Sequence, residues 1–458
     1  MAKEIRLNAF AMNCAGHLSA GLWTHPRDRS HRYTELAYWT DLARLLERGK
    51  FDGLFLADVL GVYDVYAGTP DAALRQAAQV PVNDPVLVIP AMAGVTENLG
   101  FGVTCTLSFE PPYPFARRMS TLDHLTKGRV AWNIVTGYLD SAARGVGRDT
   151  QSGHDLRYSI ADDYMEVVYK LWEGSWEDDA VVRDRERGIF AQPAKVHKIH
   201  HDGPYYSVDA IHLSEPSPQR TPLLYQAGAS ARGREFAGKH AECVFLGGAS
   251  KRAVAATVAS IRDQAALNGR SPDEILTFAA MTVIVGRTEA EARAKQQEYA
   301  RYVNPEAALA LFSGWTGIDF ASYALDDPLR YVKNDAINSV VEAFARADRT
   351  RTWTVRGIIE YLGLGGPSPK IIGSPEQVAD QLEAWVAETG IDGFNLAYVV
   401  MPETFTDFVE MVIPELQRRG VYKREYQPGT LREKLYGAGR ARLPETHPAA
   451  RHRIARSE

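Results

Sequence analysis

The sequence predicts an α/β protein of the (β/α)8 TIM barrel class, on three observations. Strand-like and helix-like runs alternate from end to end, which implies parallel strands joined by covering helices. The strand-like runs number eight, the count of a closed barrel. And 458 residues, 45% of them hydrophobic, suffice for one large core. Periodicity alone leaves a doubly wound open sheet of the same count as an alternative.

The first strand is Arg6–Met12, within IRLNAFAMNCAGH, where an apolar run opens directly onto Cys14 and His17. Leu54–Asp58, Phe101–Leu107, Val130–Thr136, Pro222–Ala227, Ala241–Leu246, Leu276–Val285 and Gly393–Val400 follow as strands. Between them lie helical periods such as ELAYWTDLARLLERGK, PVLVIPAMAGVTENLG, ARRMSTLDHLTKG, KRAVAATVASIRDQAALNG and PEQVADQLEAWVAETG. Met92, Met119 and Met165 fall on apolar helix faces and read as core.

Two segments interrupt the alternation. Residues 137–221 hold a helix over Asp155–Trp172 and a Pro-, His- and Gly-rich stretch that reads as hairpins; residues 300–372 hold short helices and the loop YLGLGGPSPK. Both follow a strand's carboxyl end, strands 4 and 7, where a barrel carries its site, so they are expected to wall or roof a pocket. The tail after Arg419 is charged and shows no clear apolar face. The domain reading is therefore one barrel over 1–420 with these insertions, and an extension over 421–458 packing on the barrel or on a neighbouring subunit.

Composition narrows the function classes. A net charge of −5 provides no basic field for nucleic acid or anionic membranes. No run of 18 apolar residues occurs, and the start MAKEIRLNAF has neither the charge nor the apolar core of a leader, which points to the cytoplasm. Three cysteines far apart, without CxxC spacing, read as free thiols.

The strand ends then give a list of candidate residues: Asn13, Cys14 and His17; Asp58; Thr104 and Cys105; Asn133 and Thr136; Gln226, Gly228 and Ser230; Gly247 and Gly248. The list is rich in hydrogen bonders and poor in charge. It has neither the paired carboxylates nor the Ser-His-Asp set of a hydrolase, and it suits a bound cofactor that supplies the chemistry itself. In LLYQAGASARGREFAGKH a buried strand runs through Gly228, Ala229 and Ser230 into a helix, a geometry that can hold a phosphate on Ser230 Oγ and neighbouring amides, or that is simply a Ser N-cap. HDLRY puts His154 and Tyr158 four apart on one helix face, able to clamp one group, with Arg157 between them; a solvated helix start is the plainer reading. Asp58 at the end of LFLAD is either a buried acid satisfied by backbone or a ligand contact. The histidines of VHKIHHDG read as loop residues, with no metal expected, and GLGG at 363–366 lacks the strand, turn and helix of a dinucleotide fingerprint.

Longer blocks carry more. NAFAMNCAGH, ERGKFDGLFLADVLGVYDVY, QVPVNDP, ARRMSTLDHLTKGRVAWNIVT, HDLRYSIADDYMEVVYKLWEGSWEDDAVVRD, EPSPQRTPLLYQAG, KHAECVFLGG, IDGFNLAYV and EKLYGAGRARLP resemble the bacterial luciferase-like flavin monooxygenases, in the branch with nitrilotriacetate, dibenzothiophene sulfone, dimethyl sulfide and long-chain alkane monooxygenases. The resemblance covers nearly the whole chain and implies the closed barrel, reduced FMN from a separate NAD(P)H-dependent flavin reductase, and O2 as co-substrate. It implies flavin contacts at Asp58, Thr104, His154, Tyr158 and Ser230, with Asn133 and Ala229 added, and so favours the cofactor reading of HDLRY. Around the substrate it implies Cys14, His17, Tyr63, Gln79, Tyr138 and Arg157, with His17 hydrogen bonding or moving a proton and Cys14 giving shape and polarity. The alkane and sulfide enzymes are the nearest in pattern. This chain departs from the alkane enzyme by Tyr138 and Leu311 where that enzyme has histidines, and by Gly137 where the branch has a small hydroxyl residue. The implied reaction puts one oxygen atom into a long-chain alkane or dialkyl sulfide. Alternatives are a carbon–sulfur or carbon–nitrogen cleaving oxygenase of the same branch, a deazaflavin-dependent dehydrogenase, or a flavin-binding protein without catalysis. The tail suggests a homodimer or homotetramer.

Overall fold

A computed structural model describes residues 3–228, 230–248, 250–328 and 353–454. Eight parallel strands close a barrel: β1 (Arg6–Met12), β2 (Gly53–Ala57), β3 (Gly100–Thr106), β4 (Val130–Val135), β5 (Leu223–Gln226), β6 (Cys243–Leu246), β7 (Leu276–Val285) and β8 (Gly393–Ala397). Neighbours in sequence pair in order, β8 pairs β1, and β6 to β7 completes the ring. The strands sit where the sequence places them to within a few residues, and the open-sheet alternative falls away.

Alternate side chains fill the barrel. Phe10, Phe55, Ala131, Tyr225, Phe245 and Phe278 point inward, with Phe55 edge-on to Phe245 at 4.5 Å and Phe245 stacked on Phe278 at 5.1 Å. A strand buried on both faces reads as a continuous apolar run, as these strands do. The outward faces pack on the helices in a larger cluster that includes Met92, Met119 and Met165.

The tail closes the barrel's amino-terminal end. A short helix, Leu431–Tyr436, starts with a capping box in which Thr430 and Glu433 bond each other's backbone N–H, and it inserts Leu431 and Leu435 among the barrel's inner residues. Arg432 binds Glu242 in a buried ion pair, Nε to Oε1 at 2.6 Å. The tail thus has an apolar face; two leucines four apart on a six-residue helix are too few to show as a period.

At the opposite end lie the insertions. β7 overshoots the barrel by several residues, and its second half, Thr282–Val285, pairs with an extra parallel strand, Lys370–Gly373, which begins at the last residue of YLGLGGPSPK and is not among the eight strands read from the sequence. The helix Pro305–Thr316, from the same insertion, packs with Ala20, Tyr63, Ala73, Leu139 and Ala142, which come from loops after β1, β2 and β4, as a second apolar cluster over the strand ends. Of the segment after β4, the loop to Ser152 and the start of the helix His154–Gly174 stay at this end. Its two hairpins, Val181–Asp184 with Ile189–Ala191 and Ile199–Asp202 with Ser207–Ala210, are present as read. The first is tied to the segment leading into β5, Arg183 Nη2 donating to the Glu215 carboxylate at 2.7 Å.

Candidate functional site

The loop leaving β1 is zipped to the loop before Pro85. Cys14 bridges Val82, Gly16 bridges Ala78, and Gln79 N–H donates to Gly16 O at 2.8 Å. Cys14 is fully buried, its thiol donating to Gly16 O at 3.4 Å, and burial pushes that thiol above its ordinary range. It is a seam residue, not an ionisable nucleophile. His17 is buried too, edge-on to the Phe10 ring at 4.7 Å, and burial alone pushes its imidazole down to about 3. At neutral pH it is an uncharged hydrogen bonder. Asp58, just past β2, is pushed up to about 7 by burial and by the nearby Asp84 carboxylate, against a backbone hydrogen bond from Val59.

Beside His17 the structure gathers three of the other predicted residues. Gln79 Nε2 donates to the His17 carbonyl at 2.8 Å, Gln79 Oε1 lies 2.8 Å from the Tyr63 hydroxyl, and the Tyr63 and Tyr138 hydroxyls are 2.8 Å apart. Gln79 holds φ at 57°, in the left-handed region, a conformation that costs a non-glycine residue on the order of 1 kcal/mol and collects at functional sites. Burial pushes the Tyr63 hydroxyl up to about 12, so it stays protonated. Two further residues complete this group. Trp315, on the helix Pro305–Thr316, donates its indole N–H to the Tyr63 oxygen at 3.2 Å, and Gly314 packs on the Tyr63 ring so closely that a Cβ there lies 1.9 Å from Cδ1. Sequence reading missed both, although SGWTG, a glycine and an indole inside an apolar helix, is the signal.

Next around the mouth, Asn133 on β4 donates to Thr104 Oγ1 on β3 at 2.9 Å, while Asn133 Oδ1 is buried with no partner among the described residues. One strand further, Ser230 caps the helix Ala231–His240 by accepting from Gly233 N–H at 3.0 Å. The hydroxyl of Tyr158 reaches the same turn, with Ser230 and Gln226 as side-chain partners. Its ring is edge-on to His154 at 5.2 Å and lies under Arg232 at 5.7 Å. Gly228 leaves room for these groups, since a Cβ on it stands 2.2 Å from Gln226 Nε2 and 2.7 Å from the Tyr158 oxygen. Ala229 lies outside the described residues. The Gln226 and Asn133 side-chain oxygens, buried acceptors without partners among the described residues, stand with hydroxyls and a helix amino terminus on adjacent strand ends, the kinds of group that suit a flavin nucleotide: acceptors and hydroxyls for ring and ribityl chain, hydroxyls and amides for phosphate. The residues fit that group.

Arg157 is the remaining residue of the predicted substrate set. Its Nη1 donates to Ser152 O at 2.7 Å, and it lines a small polar cavity of about 50 Å³ with Ser108, Arg148, Gln151 and Tyr206. The histidines of VHKIHHDG go separate ways: His197 pairs with Glu177, and His201 with Asp163.

Comparisons with known proteins agree with this fold. The luciferase-like monooxygenase family model matches residues 17–393. The dimethyl-sulfide monooxygenase of Hyphomicrobium sulfonivorans is 54% identical over 455 residues, covering 99% of this chain and 95% of that protein. The long-chain alkane monooxygenase of Geobacillus thermodenitrificans is 51% identical over 453 residues, covering 99% of each. The crystal structure of DmoA from Hyphomicrobium sulfonivorans superposes with a TM-score of 0.93 over 98% of this chain and 96% of that one. A structure of long-chain alkane monooxygenase gives 0.91, over 99% and 100%. The chain belongs to the luciferase-like monooxygenase family and is a flavin-dependent monooxygenase.

Proposed function

We propose that this protein is the oxygenase of a two-component system that takes reduced FMN from a separate NAD(P)H-dependent flavin reductase and, with O2, puts one oxygen atom into an apolar substrate, a long-chain alkane or a dialkyl sulfide. The observation that carries the substrate class is the apolar cluster over the strand ends, which gathers Leu139, Ala142, Leu311 and Phe312 with Tyr63 and Tyr138, whose hydroxyls are hydrogen-bonded to each other. Such a wall excludes water from the reacting atoms and takes a hydrocarbon chain.

In this reading Ser230, Tyr158 and His154 hold the flavin phosphate, aided by the helix amino terminus and by Ala229, while Asp58, Thr104 and Asn133 hold the ring and ribityl side. FMN, once bound, supplies the redox chemistry and the activation of oxygen. The chain's own residues bind and orient. The neutral His17 imidazole offers one N–H and one lone pair toward the ring side of the mouth, with Phe10 fixing its plane. Cys14 sets shape, and Tyr63, Gln79 and Tyr138 form the polar edge of the substrate wall. Arg157 braces the loop before the phosphate-side helix through Ser152.

Leu311, where the alkane enzyme has a histidine, adds an aliphatic side chain to the apolar cluster in place of an imidazole, which favours apolar over charged substrates. We assign the barrel to 1–420 and a plug-forming extension to 421–458, a cytoplasmic setting with the reductase, and a homodimer or homotetramer. The test is a panel of n-alkanes, dialkyl sulfides, sulfones and tertiary amines, incubated with the protein, FMN and an added reductase. Oxygenated product from an alkane or sulfide, read by mass, supports the assignment; turnover of sulfones or amines alone replaces it with the cleaving oxygenase.

A further inference from the structure

The hydrogen bonds from His17 to Tyr138 admit one arrangement of protons. A backbone carbonyl only accepts, so the end of the Gln79 amide that meets His17 O at 2.8 Å is its NH2. The other end, Oε1, is then a carbonyl that also only accepts, and Tyr63, 2.8 Å away, must give it its single phenolic proton. With that proton committed, the Tyr63 oxygen can only receive. It receives the indole N–H of Trp315 at 3.2 Å, a group that is donor only, and it faces the Tyr138 hydroxyl at 2.8 Å. Tyr138 therefore donates to Tyr63. Its own oxygen is left with lone pairs and no proton to give.

Tyr63 and Gln79 are buried, whereas Tyr138 is half-buried and ends the chain, its hydroxyl making no hydrogen bond other than that to Tyr63 among the described residues. We infer that Tyr138 meets a bound molecule as an obligate hydrogen-bond acceptor, so that the chamber selects molecules carrying an O–H donor, such as an alcohol on a hydrocarbon skeleton, over isosteric acceptors such as a ketone or a sulfoxide. This rests on the reading that Tyr138 lines the substrate chamber. Tyr138 is the specificity-determining residue. Gln79, Tyr63 and Trp315 are positioning residues that act through it, and the left-handed backbone at Gln79 is the conformation that presents its amide to the carbonyl. An acceptor set against an acceptor leaves both unpaired and desolvated, and a missing partner of this kind is how polar sites reject analogues.

The experiment is calorimetric titration of the full-length protein with a secondary octanol, the matching octanone, and the methyl-branched alkene that is the ketone's hydrocarbon isostere. Wild type should bind the alcohol about tenfold more tightly than the ketone, the size of one well-made hydrogen bond. Tyr63→Phe removes the acceptor for the Tyr138 proton and turns that proton toward the chamber, so the preference should collapse or reverse although residue 63 is not the contacting group. Gln79→Met frees the Tyr63 proton for Tyr138, should give the same shift, and decides the matter where Tyr63→Phe does not fold. Tyr138→Phe should abolish discrimination.

Equal binding of alcohol and ketone by wild type, with the alkene still bound, overturns the inference and leaves the chamber standing. Equal weakening of all ligands in both Tyr63→Phe and Gln79→Met reduces those residues to structural supports and overturns it as well. Failure of the alkene to bind removes the chamber reading, and the inference with it.

Discussion

Gly314 and Tyr63 are in contact across the roof of the mouth, the glycine set so close to the ring edge that a Cβ on it stands 1.9 Å from Cδ1. The helix Pro305–Thr316 thereby fixes Tyr63 twice, through this contact and through the Trp315 indole N–H.

Gly314→Ala is therefore expected to push the ring aside and break the hydrogen bonds to Gln79 and Tyr138 together. Overpacking of this kind costs about 1–3 kcal/mol of stability, and displacement of an orienting group by an ångström costs on the order of a hundredfold in rate. Urea unfolding and steady-state kinetics measure the two. A variant with wild-type kcat/KM shows that Tyr63 does not need its position.

At the other side of the mouth, Ser230→Glu is expected to weaken FMN binding by at least tenfold, because a carboxylate facing a phosphate repels it where a hydroxyl donates. Ser230→Ala loses the helix cap, about 1 kcal/mol, and only one contact. Fluorescence titration with FMN separates them; equal affinity of wild type and Ser230→Glu removes Ser230 from the phosphate site.

What was legible in the sequence divides along physical lines. Parallel strands buried on both faces are continuous apolar runs, so all eight were visible, and the residues at their carboxyl ends followed. The extra strand Lys370–Gly373 was not, because a four-residue edge segment behind GLGGPSPK has no pattern of its own. Its pairing comes from the overhang of β7. Ser230 was legible because a cap is local, three residues from its acceptor to its donor. The group formed by Gln79, Tyr63 and Tyr138 was named only by resemblance, since its members are 75 positions apart at the widest, 138 less 63, and no local pattern joins them. Trp315 joins it from 252 residues away, and only the folded insertion brings it there.

Acid sensitivity has two contributions of opposite sign. His17 is pushed from 6.5 down to about 3 in the folded protein. As pH falls below 6.5 the unfolded chain binds a proton that the folded one refuses, so this residue costs stability on acidification and none above neutrality. Asp58 is pushed from 3.8 up to about 7. Between these values the folded chain holds a proton that the unfolded one has lost, so this residue lowers stability as pH rises from 4 toward 7. His17→Gln should flatten the acid limb of a Tm against pH profile, and Asp58→Asn should flatten the decline toward neutrality. A His17→Gln profile that still falls as steeply with acid as wild type would falsify the buried neutral imidazole.

The last prediction concerns the plug at the amino-terminal end. Arg432 is buried, with Nε and Nη2 on the Glu242 carboxylate at 2.6 and 3.0 Å, and with further bonds to the Thr221 and Ala441 carbonyls. Glu242 Oε2 in turn accepts from Leu224 N–H at 3.0 Å, so the pair ties the tail to the start of β5. Arg432→Met leaves that carboxylate buried without its counter-charge, which costs about 3–5 kcal/mol. Removing both charges, with Arg432→Met and Glu242→Gln together, takes away the uncompensated charge while the glutamine side chain still accepts from Leu224. The double variant is therefore expected to be more stable than Arg432→Met alone, by chemical denaturation of both singles and the double. A double variant no more stable than Arg432→Met means that the loss lies in the guanidinium's bonds to the carbonyls rather than in an orphaned charge.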